Sequence, residues 1–475
     1  VIGGGTVGFT CAETLCKAND VLVIEKDSET CDYIKSLLNV SVLHEDGSNP
    51  KILRTALSRQ KPDALIAALP DDGLNLYVCG MAKILWRSFM SEVPGKGDEV
   101  SEEGRKWFWS GFSDKRRVPG GFTTVACIRN PDYEFNSEAR ADHIISPEEL
   151  MAYRIGNISS LENVVKYEGI QGGQVAFAVF KVEAGHSIVG KVVMDLDIPK
   201  GCSPVCIYRG DYVITEVSTA EIHVNDRIGV VGSAPALEDF NRLIGILKEA
   251  REYVVIGATS AGISVAKSLS GSGRRRIIKV IDRDEQRCRN ANRQLDGVTV
   301  VNADVADPVV MTVENIDRAD VVVCLSPMDE RNLLTGMAAL RFGTQKIIAR
   351  YNTKEYEEIF RYAGIDSIIG YHRVITNEIN ETLINHGRLL ILLDGRKEFL
   401  FVSSLTSRSA VVGKRYGDIT TPAGIRLIAK VGDEGVSFLE PDTLLEVDDQ
   451  VLVYANYANQ SKMSKILGQE PPVEL

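Results

Sequence analysis

The chain has 475 residues, 44% of them apolar and 25% charged, and a formal net charge of −11. These are the fractions of an ordinary globular protein with room for about three domains. An acidic chain without a long basic block argues against nucleic acid as a partner. The longest apolar runs, such as Leu389-Leu390-Ile391-Leu392-Leu393, fall far short of the ~20 residues a membrane span needs, so the chain is not expected to span a membrane itself. The nine Cys show no C-x-x-C and no Cys/His pairing at zinc spacing, and no metal site is expected. Cys11, Cys16, Cys79 and Cys324 fall on apolar positions, as buried small residues of a reducing compartment would. The chain opens inside a strand without an initiator Met, so residues upstream of Val1 are expected.

Val1-Ile2 reads as the end of a buried strand that runs into Gly3-Gly4-Gly5-Thr6-Val7-Gly8 and then a helix, Phe9 to Ala18. Gly3, Gly5 and Gly8 have the spacing G-x-G-x-x-G. The first allows the tight turn, the second lets a pyrophosphate approach the backbone, and the third lets helix and strand pack closely. A second strand ends in Glu25, 17 residues after Gly8. A carboxylate there accepts ribose hydroxyls and repels a 2′-phosphate, favouring NAD(H) or an adenine nucleotide over NADP(H).

A helix from Thr30 to Leu38 follows, then a strand Val40 to Leu43 leading to Asp46-Gly47, and a helix near Lys51 to Leu57. The strand Ala64 to Leu69 leads to Pro70-Asp71-Asp72 and Asn75, with a helix near Leu76 to Leu85. Residues 87 to about 120 break the pattern. A fifth strand, Thr124 to Ile128, ends at Arg129, and a short one lies near His143 to Ile145. Nearly unbroken apolar strands alternating with helices describe a parallel sheet covered on both faces.

The same order returns from Tyr253. Gly257-Ala258-Thr259-Ser260-Ala261-Gly262 repeats the turn, Asp282 matches Glu25, Asp304 matches Asp46, and Asp329 and Asn332 match Asp72 and Asn75. Arg350 matches Arg129. The offset falls from 257 at Asn75/Asn332 to 221 at Arg129/Arg350, an insertion of 36 residues in the first copy. Each half leads into short alternating strands with Gly and Pro turns. There Val189-Gly190-Lys191 matches Val412-Gly413-Lys414, and Val224 to Val231 matches Val447 to Tyr454. The expected fold class is therefore α/β, two Rossmann-like parallel-sheet domains each followed by a small α+β module. The order N–C–N–C has boundaries at 1–148 (insertion about 87–120), 149–248, 249–386 and 387–475.

With this duplicated order, the glycine turn, Glu25, Asp46-Gly47, Asp72-x-x-Asn75, Arg129 and the paired Val-Gly-Lys modules, the whole chain resembles the RCK (regulator of K⁺ conductance) family. Within it, the chain is similar to the TrkA-type, NAD-binding regulatory subunits of Trk potassium uptake systems. The resemblance implies a cytosolic regulator, not an enzyme, at the inner face of the cell membrane. It implies a ring, expected as a homotetramer or dimer of dimers, bound to a TrkH-type membrane potassium transporter. Its ligand would be NAD(H) or ATP/ADP, and ring shape would report occupancy. By the same resemblance Gly3, Gly5, Thr6, Val7, Gly8, Glu25, Lys26, Asp46, Gly47, Leu69, Pro70, Asp72 and Arg129 line the first cleft. Gly257, Thr259, Gly262, Asp282, Asp304, Ser326 and Arg350 line the second.

The halves are not alike. Thr259 replaces the middle glycine, and its β-carbon crowds the pyrophosphate position. The second cleft is expected to take a smaller or differently seated nucleotide, or none. Arg129 and Arg350 read as phosphate clamps or as solvated strand-end charges. Asp72, Asn75, Asp329 and Asn332 read equally as ligand contacts or helix N-caps. In or next to the insertion lie Trp86, Trp107, Trp109, Phe89, Phe108 and Phe112 among mixed charges, a contact surface or a flexible loop. The six His form no cluster. An NAD-dependent dehydrogenase, or an RCK regulator of a potassium efflux system or channel, are the alternative readings.

Overall fold

The computed structural model describes residues 1–17, 19–91, 121–129, 140–170, 173–210, 212–245, 250–271, 276–365, 367–383, 390–392, 398–422, 424–432, 435–456 and 459–468. Trp107, Phe108, Trp109 and Phe112 of the insertion lie outside them. Two compact units are present, one of residues 1–149 with 374–383, the other of residues 150–373 with 384–474.

In the first unit, Ile2 bridges in parallel to both Ile24 and Ala67. It thereby joins the pair Leu22–Glu25 and Ser41–His44 to the strands Ala64–Ala67, Thr123–Cys127 and His143–Ile145. Counted in chain order with Ile2 as the first strand, the sheet runs 3-2-1-4-5-6. The second half repeats this order with six full strands, from Thr299–Asn302 through Glu252–Ile256 to Ser367–Gly370. Helix starts repeat as well. Asp27 caps Ser28–Leu37 through Thr30 N–H at 2.8 Å, and Asp284 caps Glu285–Gln294 through Arg287 N–H at 3.0 Å. Asn49-Pro50 and Asp307-Pro308 each place a capping side chain before a proline at the first helical position.

The helix after the fourth strand runs from Asp72 to Ser91, longer at both ends than its apolar run suggests. Trp86 therefore belongs to the core rather than to an exposed insertion. It is 5% exposed and stacks on Phe122 with ring centroids 4.6 Å apart, while Phe89 packs at the core margin. Cys11, Cys79 and Cys324 are buried, but Cys16 is only half-buried. Among the described residues no helix is long and apolar enough to cross a membrane.

Both C-terminal modules are five-stranded sheets of one topology, 1-2-5-3-4 in chain order, with a helix at Ala234–Ile244 in the first and Gln460–Leu467 in the second. Gly190 and Gly413 share φ +78°, and Asn225 and Asp448 have φ +70° and +69°. The repeat thus extends to left-handed turns that favour Gly and Asn/Asp. The two sheets share one core, in which Phe177, Val179 and Val231 meet Leu400, Val402 and Tyr454. Glu398, 1% exposed, sits in it and accepts the hydroxyls of Tyr208 and Tyr454, each at 2.8 Å.

Candidate functional site

In each half the glycine turn lies at the carboxyl end of the parallel strands, where open α/β sheets take their ligands. Its three glycine positions have separate duties. Gly3 has φ +95°, and a β-carbon on it would meet the Ala68 carbonyl at 2.8 Å. A β-carbon on Gly8 would stand 1.9 Å from the Gly3 oxygen. Gly257 and Gly262 repeat both restrictions, against Leu325 at 2.8 Å and Gly257 at 1.9 Å. These four are demanded by the fold. Gly5 is not, because a β-carbon there meets nothing within 4 Å. It is exposed beside exposed Thr6, at the start of the helix Thr6–Leu15, with no side chain capping that end. The first N–H groups of an uncapped helix are open to an anion.

In the second half Thr259 caps the helix Ser260–Ser270, its Oγ1 accepting the Gly262 N–H at 3.3 Å. The side chain thus satisfies a donor that a phosphate would use.

Glu25 is half-exposed. Its Oε2 accepts the Gly4 N–H at 2.6 Å, and its Oε1 accepts Lys26 N–H and Asp27 N–H at 2.8 and 2.9 Å. Three backbone donors aim the carboxylate and leave acceptor capacity for a hydroxyl. Asp282 is 6% exposed. It takes Ala258 N–H and Asp284 N–H, each at 2.9 Å, and additionally the Arg287 guanidinium at 3.0 Å. Its counter-charge is internal. Asp304 is likewise ion-paired, with Arg331 at 3.5 Å. Asp46 instead accepts local donors, the Ser48 hydroxyl and N–H at 2.7 and 2.9 Å, and these hold its carboxyl below the usual range. Gly47 packs beneath, where a β-carbon would collide with Ile2.

The strand-five arginines diverge. Exposed Arg129 donates from Nη2 to the Leu69 carbonyl at 3.2 Å, on the rim beside Pro70. Arg350 is held by Asn352 at 2.7 Å and lies 4.2 Å over the Tyr371 ring, a cation–π contact.

The acid–amide pairs do more than cap a helix: they clamp backbone at the strand ends. Asn75 is fully buried, donates to the Leu69 and Cys127 carbonyls at 3.0 and 2.7 Å, and accepts Leu69 N–H at 2.7 Å. Asn332 repeats this clamp on Ser326 and Arg350. Asp72 and Asp329 reach across to backbone N–H groups after the fifth strand, of Arg129 and of Asn352 and Thr353. Asp71, not Asp72, caps the helix through Leu74 N–H at 2.8 Å.

Sequence reasoning passed over Arg283, Arg287 and Arg331, which line the second cleft, a cavity of about 90 Å³ with Gly257, Asp282 and Ser326. Reading the repeat position by position finds them, since they stand where the first half has Lys26, Thr30 and Leu74.

Family comparisons agree with this architecture. The TrkA-N domain matches residues 1–88 and again 253–371, and the TrkA-C domain matches 177–245, together more than half of the chain. The Trk system potassium uptake protein TrkA homolog 1 of Methanosarcina mazei is 26% identical over 472 residues, covering 98% of each chain. TrkA of Vibrio alginolyticus is 25% identical over 481 residues, covering 96% of this chain and 94% of its own. Among solved structures, the GsuK RCK domain superposes with a TM-score of 0.61 at 16% identity, covering 98% of this chain and 94% of that one. The GsuK channel bound to NAD gives 0.60 at 16% identity, over 98% and 78%. With TrkA-N domains in both halves, a TrkA-C domain between them and the RCK fold throughout, this chain belongs to the TrkA family of tandem TrkA-N/TrkA-C proteins.

Proposed function

We propose that the chain is a cytosolic nucleotide-sensing regulatory subunit of a Trk-type potassium transporter, binding NAD(H) or ATP/ADP in its first cleft. The observation that carries this is Gly5. A glycine that the fold does not require stands at an uncapped helix end, with open space where its side chain would be. Such a position suits the close approach of a pyrophosphate. The residues fit an adenine nucleotide in other respects. The N–H groups of Thr6 and Val7 would take the phosphates. Glu25, aimed by Gly4, Lys26 and Asp27, would accept a ribose hydroxyl, Asp46 would face the adenosine, and Arg129 would close over the phosphates from the rim. Full-length similarity to potassium uptake proteins, and the RCK fold shared with a channel bound to NAD, support the same reading.

The ligand works by binding alone. It shifts the equilibrium between two ring shapes only by its difference in affinity for them. In this reading a homotetramer or dimer of dimers at the inner membrane face passes that shift to a TrkH-type partner. The second cleft, with Thr259 on its own helix end and Asp282 paired to Arg287, does not take the same ligand in the same pose. The test is titration of NAD⁺, NADH, ATP and ADP against the purified chain, then with the membrane partner present. Saturable binding that alters potassium flux supports the proposal, and failure of all four to bind overturns it.

A further inference from the structure

The second cleft keeps the acid of the first and surrounds it differently. Asp282 is 6% exposed and both its oxygens are taken. Oδ2 accepts Ala258 N–H at 2.9 Å, while Oδ1 accepts Asp284 N–H at 2.9 Å and Arg287 Nη2 at 3.0 Å. Half-exposed Glu25 of the first half accepts three backbone N–H groups and no guanidinium. An open carboxylate at this strand end takes ribose hydroxyls and repels a 2′-phosphate. Asp282, turned inward and paired with a cation, has lost much of its power to do either.

Beside it stand donors with capacity to spare. Arg283 follows the acid directly, lines the cavity, is exposed, and makes no hydrogen bond or ion pair among the described residues. The buried Nε of Arg287 has no hydrogen-bond partner, with Asp284 3.9 Å away, and such a donor calls for an acceptor from ligand or solvent. The first half has Lys26 and Thr30 at these two positions, so the shared fold does not require the guanidinium groups. Val305, Pro327 and Met328 give the same cavity an apolar side suited to a base, and Met328 is 50% exposed. Thr259 meanwhile occupies the helix end on which a 5′-pyrophosphate would rest. Attraction for an anion is thus moved from the glycine turn to the end of the second strand.

We propose that the second cleft recognises a 2′-phosphorylated adenosine, the moiety that distinguishes NADP(H) from NAD(H). The Arg283 fork takes the 2′-phosphate, and Arg287 keeps the Asp282 charge from opposing it. The assignment rests on the nucleotide-sensing reading and extends it, since one chain then reads a phosphorylated adenosine in one cleft and an unphosphorylated one in the other.

The probes are adenosine 2′-monophosphate and adenosine 5′-monophosphate, titrated by calorimetry into the full chain carrying Gly5→Val, which leaves the second cleft as the site read. The 2′-phosphate is expected to bind once per chain and at least about tenfold more tightly than the 5′-phosphate. Adding Arg283→Gln should remove that preference and leave the weaker 5′ binding as it was. NADPH in a parallel titration tells whether the intact dinucleotide or the mononucleotide is the ligand. Lack of saturable 2′-phosphate binding overturns the proposal, as does equal affinity for the two monophosphates or an Arg283→Gln variant that keeps the preference. NADH titrated into Arg283→Gln with Gly5 intact reads the first cleft separately and should match wild type, so failure of that cleft and failure of this assignment are told apart. Should Gly5→Val not fold, wild type saturated with NADH carries the same titrations.

Discussion

The Thr259 hydroxyl accepts the Gly262 N–H at 3.3 Å, so the second glycine turn caps itself with its own side chain. In the first half Gly5 leaves the same helix end bare. Two copies of one motif thus differ in whether the helix N-terminus is open to a ligand.

Thr259→Gly should open the second turn. Glycine at an N-cap costs only a few tenths of a kcal/mol relative to threonine, so Tm should barely move while nucleotide affinity at the second cleft rises. Calorimetric stoichiometry in a Gly5→Val background isolates that cleft. An unchanged isotherm would show that Arg287 on Asp282, rather than Thr259, closes it.

Asn75→Ala should act on the fold and not through ligand contact. It leaves two carbonyls and one N–H at the ends of neighbouring strands without their clamp. Loss of three buried hydrogen bonds should cost about 2–4 kcal/mol, read by urea denaturation, and Asn332→Ala should cost a similar amount.

Glu398 and its two tyrosines should behave as one unit. Tyr208→Phe or Tyr454→Phe alone removes a donor from a buried carboxyl and should destabilise by about 1.5–3 kcal/mol. The triple variant Glu398→Val/Tyr208→Phe/Tyr454→Phe, which installs the valine that the first module has at the equivalent Val175, should return to within about 1 kcal/mol of wild type. Additive losses in denaturant melts would contradict this.

Lys346 gives the unit a pH dependence. Its Nζ donates to the Leu161 and Glu162 carbonyls, at 2.8 and 3.3 Å, and to that of Ile158, near the end of the helix Pro147–Ser160. Burial pushes the ammonium down to about 7, with Glu162 pulling the other way. Between about pH 7 and the ordinary value of 10.5 the unfolded chain holds a proton that the folded chain has lost. Stability from this group therefore rises with pH across that window, at up to about 1.4 kcal/mol per unit. Lys346→Met should flatten the rise in Tm measured from pH 7 to 9.

Much of the fold is legible in the residues, because the same signals occur twice. The glycine turns, the Asn49-Pro50 and Asp307-Pro308 starts, and the left-handed Asn225 and Asp448 are local features whose chemistry fixes the backbone where they stand. What was not legible depends on tertiary closure. Nothing in the spacing of Asp72 and Asn75 tells that the amide folds back onto two strand ends while the neighbouring Asp71 does the capping. The pairing of Arg287 with Asp282 likewise needs the helix start to turn the guanidinium back toward the strand. The burial of Trp86, at the edge of the insertion, is hidden as well, because the helix carrying it outlasts its apolar pattern by several residues.

The most direct measurement compares NADH binding by wild type and Gly5→Val, with Tm as the control. The valine should abolish binding at the first cleft and leave Tm within a degree or two, since its β-carbon meets only open space. Equal NADH affinity in the two proteins, or a wild type that binds no adenine nucleotide, would contradict it.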